Sequence, residues 1–224
     1  MVATSDITAL DLAALIASRV CHDIISPVGA INNGLEVLAE EDQSEDMREF
    51  AMDLIRKSAR QASAKLQFAR LAFGAAGSAG ASIDLGDAET VAKGFMAGEK
   101  ADLEWSATRV LMPKNLVKLL LNLILIAGHA IPRGGVIEVV VTGPAEAPTF
   151  RLTCKGTNAR IPANVEDALA GRATGEHGPD AHTVQPIYAG LLAAAAGMVV
   201  AVTKDGDTVV FEAAPRPVAA VVAD

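Results

Sequence analysis

The chain has 224 residues, 51% of them apolar, two cysteines and a formal net charge of −8 at pH 7. That length suits one large domain or two small ones and buries roughly 70% of the extended-chain surface on folding, so a core forms without staples. Two cysteines exclude a disulfide framework and read as small buried hydrophobes in a reducing cytosol, while the acidic balance excludes nonspecific nucleic-acid binding, which depends on neutralising phosphates.

The first predicted element is a helix over residues 6–41. Ile7, Leu10, Ala14, Ala17, Cys21, Ile24, Val28, Ile31, Leu35 and Leu38 recur in alternating steps of three and four, which makes a packing seam. His22 lies just off this seam, followed at once by Asp23 and then by Pro27. Inside a helix Pro27 offers no N–H to the carbonyl of Asp23 and its ring presses on that carbonyl. A bend beside His22 is therefore expected, at about 3 kcal/mol in an exposed interior. A lone surface histidine is most often inert; seam, acid and proline together point to one that does chemistry in solvent.

A second helix is expected over residues 44–73. Its apolar side holds Met47, Ala51, Leu54, Ala62, Leu66, Ala69 and Phe73, and Asp42 with Glu45 forms a capping pair. Acids crowd residues 36–49, and Arg56, Lys57, Arg60, Lys65 and Arg70 follow. An antiparallel hairpin turning near residues 42–44 sets His22 opposite Ala64, with cations flanking the histidine and acids at the tip. Taken singly, each of these charges also fits a solvated helix face. Two helices cannot cover both apolar stripes, so a homodimer is expected, joined as a four-helix bundle with both His22 side chains facing outward.

Residues 74–81 are all glycine, alanine or serine, which marks a linker and a domain boundary. The rhythm then changes. A short strand at 83–85, a helix at 86–98, a strand at 101–106 and a helix at 114–130 precede strands at 136–142 and 150–154. The run 116–126 is too short to span a bilayer, and the first residues lack the basic and apolar regions of a signal peptide, so a cytoplasmic chain with no membrane segment is expected. A loop-rich stretch at 156–182 leads to a helix at 185–196 and a hairpin of 198–203 and 208–213 across Lys204-Asp205-Gly206-Asp207. Mixed elements in this order give an α+β chain: the hairpin at 1–75, an α/β sandwich at 82–214 with helices on one sheet face, and a tail at 215–224.

The segment His22-Asp23-Ile24-Ile25-Ser26-Pro27 resembles the phosphoacceptor box of sensor histidine kinases, and hairpin plus sandwich resemble their dimerisation and Bergerat-type ATP-binding domains. The resemblance covers nearly the whole chain. Its departures are specific. A kinase box of the form Asn-Leu-Leu-x-Asn-Ala keeps its first asparagine as Asn122, but Ile126 stands where the second would order magnesium, which wants oxygen ligands. The next box ends recognisably in Ile161-Pro162, yet Gly156, Asn158 and Arg160 precede it without the adenine-binding Asp and both glycines, and the glycine-rich lid before Gln185 is missing.

A kinase-like chain that keeps the histidine and loses the nucleotide site resembles the histidine phosphotransferases of the ChpT type; Val184-Gln185-Pro186-Ile187-Tyr188 is similar to that family too. The resemblance implies phosphate relayed by His22 from the receiver domain of a hybrid histidine kinase to the receiver domains of response regulators, docked on the dimer and the degenerate domain. No cofactor of its own is implied, since Mg²⁺ comes with the receiver. A neutral imidazole near pH 7 is a good nucleophile. Asp23 is expected to hold the other ring nitrogen, Ser26 to orient phosphate or water, and Arg19 to meet phosphate or an acidic receiver pocket. Ile25, Arg56, Lys57 and Arg60 are the expected docking residues. His129, His177 and His182 read as satisfied or solvated, and too few histidines remain for a metal phosphohydrolase. The competing readings are an ATP-dependent histidine kinase core and a noncatalytic dimeric adaptor.

Overall fold

The computed structural model describes residues 7–74, 82–172 and 183–217. Helix α1 (Ala9–Ala39) starts at Thr8, whose hydroxyl accepts from Asp11 N at 3.1 Å. It continues through Pro27, which is buried. Helix α2 (Glu45–Ala72) is capped by Ser44, which accepts from Met47 N at 3.3 Å; the expected Asp42–Glu45 pair does not form the cap, because the helix begins at Glu45 itself. Glu45 and Asp46 in its first turn and Arg70 in its last suit the helix dipole.

The two helices run antiparallel and touch closely where Gly34 crosses α2. A Cβ there would lie 2.7 Å from Ile55 Cγ1 and 3.1 Å from the Ala51 carbonyl oxygen, so only glycine permits this approach. The seam itself is not covered within one chain. Leu10, Val28 and Leu35 are exposed, and so is Cys21, against the expectation of a buried thiol. That same stripe makes α1 long and apolar enough, by length and composition, to cross a membrane, although Asp11, Arg19, Asp23 and Glu36 interrupt it.

The sandwich comes next in the chain: β1 (Ser82–Asp84), α3 (Leu85–Met96), β2 (Ala101–Ser106), β3 (Leu111–Pro113), α4 (Lys114–Ala130), β4 (Gly135–Thr142), β5 (Thr149–Lys155), α5 (Val165–Leu169), α6 (Val184–Ala195), β6 (Met198–Asp205) and β7 (Thr208–Pro215). Five strands form one sheet in the order β2-β4-β5-β7-β6, in which β2 and β4 are parallel and the other pairings antiparallel; β1 and β3 pair separately. Alternate residues Ile137, Val139, Phe150, Leu152, Cys154, Val209, Phe211 and Ala213 point into the core. Helix α4 packs among the sheet, α3, α6 and the end of α2, and Leu116 to Ala127 are all buried, which explains why its sequence is apolar all round. The elements β3 and α5 were not anticipated. Residues 75–81 of the linker, His177, His182 and the tail beyond residue 217 lie outside the described residues.

The hairpin and the sandwich are stitched along the second half of α2. Phe68 stacks at 4.5 Å on Phe95 of α3, Phe73 meets Tyr188 of α6 at 5.8 Å, and Asn122 of α4 donates to the Ala72 carbonyl at 3.2 Å. Burying Phe68 and its ring partner supplies on the order of 2–3 kcal/mol toward holding the two parts together.

Candidate functional site

Arg19, His22 and Asp23 sit within little more than one turn of α1, so helical spacing alone brings them together. Arg19 Nε donates to Asp23 Oδ2 at 3.0 Å, and Asp23 Oδ1 lies 3.5 Å from His22 Nδ1. One carboxylate thus bridges a guanidinium and an imidazole. The Arg19 side chain is only 12% exposed and that of His22 is 71% exposed. The geometry sets Nδ1, rather than Nε2, beside the acid.

These three residues line an open cleft of about 1000 Å³ between the hairpin and the sandwich. Across it stand Lys65 of α2, Phe95 of α3, Glu99 and Lys100 in the turn before β2, His129 at the end of α4, and Arg160-Ile161-Pro162. Lys65 Nζ is 3.1 Å from Glu99 Oε1 and 5.5 Å from the centre of the Phe95 ring. The cleft therefore holds two acid–base pairs, Arg19–Asp23 and Lys65–Glu99. Among the described residues Lys100 and Arg160 make no salt bridge, which leaves the cleft a positive excess suited to phosphate or to an acidic surface.

Ser26 and Ile25 are exposed one turn further along α1, beside the cleft and outside its lining. The three cations Arg56, Lys57 and Arg60 are exposed on α2 but do not share the cleft. Arg56 pairs with Asp53 at 3.1 Å, and Arg60 borders a separate groove with Thr90 and Gly94 of α3. Glu99, Lys100 and Arg160 were not anticipated, and Lys65, expected among the cations flanking His22, was not singled out as a site residue. The placement of His22 opposite Ala64 pointed to Lys65, and the Ile161-Pro162 remnant pointed to Arg160.

The positions that a kinase would use for a nucleotide are otherwise engaged. Asn122 is fully buried, its amide donating to the carbonyls of Lys118 at 2.8 Å and Ala72 at 3.2 Å, while its Oδ1 has no hydrogen-bond partner. Ile126 is buried, and neither residue lines the cleft. Of the two thiols, burial pushes that of Cys154 up to about 12.

Comparison with known proteins matches the pattern of a family described as the histidine phosphotransferase C-terminal domain to residues 85–208. The chain is 53% identical over 207 residues to the protein phosphotransferase ChpT of Brucella abortus (strain 2308), covering 92% of this chain and 97% of that one. A solved bacterial phosphotransferase aligns with a TM-score of 0.85 at 50% identity over 95% of this chain and all of its own. The histidine kinase AdeS of Acinetobacter baumannii aligns over 87% of this chain at 12% identity with a TM-score of 0.42.

Proposed function

This chain belongs to the ChpT family of histidine phosphotransferases, and from that premise we propose that it carries a phosphoryl group on His22 between the receiver domains of a bacterial phosphorelay. The observation that carries the reading is the bridge from Arg19 through Asp23 to His22 Nδ1 beneath an exposed imidazole. A carboxylate beside Nδ1 favours one ring orientation and one tautomer, with Nε2 as the nucleophile. The Nε2 lone pair attacks phosphorus of a receiver's aspartyl phosphate. The N–P bond forms as the acyl O–P bond breaks, and the aspartate leaves as carboxylate. The Nδ1 proton stays directed at Asp23 throughout. The reverse displacement by an acceptor aspartate empties His22.

Phosphoryl transfer is served mainly by in-line positioning and charge stabilisation. Arg19, Lys65, Lys100 and Arg160 around the cleft support that role, and Mg²⁺ enters with the receiver. Donor and acceptor are the receivers of a hybrid kinase and of response regulators, with Ser26 and Ile25 at the rim that a docked receiver would meet and Arg56, Lys57 and Arg60 further along α2. ATP plays no part: the Asn122 amide is committed to two backbone carbonyls, and Ile126 offers no oxygen. The exposed stripe Leu10, Val28 and Leu35 supports a homodimer closed as a four-helix bundle.

The test incubates the protein with a receiver domain phosphorylated on aspartate and follows the label. Transfer to the wild-type chain and none to His22→Ala is expected. Equal labelling of His22→Ala, or none of the wild type, sinks the reading.

A further inference from the structure

A phosphoryl group on His22 needs a counter-ion, and the choice of that ion rests on the relay role proposed for the histidine. Phosphohistidine brings about −1.5 to −2 charges into the cleft. Two carboxylates, Asp23 and Glu99, are already there. Arg19 is tied to Asp23 on the same helix and is nearly buried, so moving it to the phosphate would release the acid that orients the ring. Lys65 is placed differently.

The hairpin register sets Lys65 level with His22. Gly34 lies against Ala51 and Ile55. Twelve residues back along α1 is His22, and the same distance forward along α2 covers residues 63–67, at whose centre Lys65 stands. Its side chain is 15% exposed, and its ammonium lies over the Phe95 ring at 5.5 Å from the centre and is held by Glu99 at 3.1 Å. Lysine is a point charge on a four-carbon stem with three rotatable donors, so Nζ can turn from one anion to another while the stem stays packed.

We propose that Lys65 joins Lys100 and Arg160 of the cleft as a counter-ion of phosphorylated His22 and that Glu99 holds it in reserve while the histidine is empty. Glu99 and the phosphoryl group then compete for one ammonium. The pair sets how far the transfer equilibrium lies toward histidine, and Lys65 acts as a positioning residue for the charge of the carried group.

The two partners give opposite signs, which a merely structural salt bridge would not. In equilibrium with a phosphorylated receiver domain, Lys65→Met lowers the fraction of label on His22 by about three- to tenfold and Lys65→Arg retains most of it. Glu99→Gln frees the ammonium and raises that fraction by about two- to fivefold. Helical circular dichroism reports whether each variant folds; if Lys65→Met does not, the Glu99→Gln rise alone decides. Label on the wild type with Glu99→Gln unchanged or lowered overturns the counter-ion assignment and leaves the relay reading intact. Absence of label on the wild type overturns both.

Discussion

Asn122 on α4 donates its side-chain amide to the carbonyl of Ala72, the last residue of α2, at 3.2 Å, and to the carbonyl of Lys118 one turn behind it at 2.8 Å. One residue thus joins the end of the hairpin to the central helix of the sandwich. Where the resemblance to kinases suggested a remnant of nucleotide chemistry, the amide serves as a tie between domains.

Replacing that tie should weaken the fold. Asn122→Leu leaves the Ala72 carbonyl without its buried donor and is expected to cost about 1–3 kcal/mol, read as a lower denaturant midpoint with an unchanged slope. Calorimetry of the wild type with Mg·ATP is expected to show no binding. Saturable binding lost in Asn122→Leu while the variant stays folded would restore the kinase reading.

Asp23→Asn keeps shape but removes the charge shared by Arg19 and His22. Transfer from a phosphorylated receiver should slow on the order of 100-fold through lost orientation, with receiver affinity changed much less. A drop in affinity with the single-turnover rate intact would move Asp23 from orienting the imidazole to docking.

The open seam on α1 leads to a different measurement. Leu35→Glu or Val28→Glu places a charge in the proposed bundle core, and sedimentation should show a monomer where the wild type is a dimer, with helical content largely retained. A wild type that sediments as a monomer at micromolar concentration removes the four-helix bundle.

Acid stability has a named contributor. The Arg109 guanidinium bonds the Asp84 carboxylate at 3.0 Å, and the Gly86 N–H adds a second bond at 2.8 Å, so the carboxyl titrates below its ordinary 3.8. A folded value held below the unfolded one adds stability above about pH 4 that is lost as pH falls through the folded value. Asp84→Asn should therefore flatten the acid limb of a stability-against-pH curve and lower the plateau slightly. An acid limb as steep as wild type would place the contribution elsewhere.

Much of the architecture was legible because it rests on periodicity. The sheet strands and five of the helices fall within a few residues of where alternation and the helical stripe put them. The strand β3 and the helix α5 were not, since Leu111–Pro113 is a strand only because β1 pairs with it and Val165–Leu169 has too few residues to show a period. The Arg19, His22 and Asp23 group was readable because one helix supplies it. The Lys65–Glu99 pair spans 34 positions and two domains, so no local pattern encodes it. The remaining cations illustrate a limit of charge counting. Arg60 precedes Lys65 by five residues, a turn of roughly 140° about the helix axis, and it faces another groove.

His22, the proposed nucleophile, and Asp23, its proposed orienting carboxylate, share one stretch of α1, with Arg19 behind them. No hinge or domain rotation can draw them apart, as it can in an enzyme whose base and nucleophile sit on different bodies. A carrier built this way stays armed whatever its conformation, and traffic through it is governed by which partner arrives loaded.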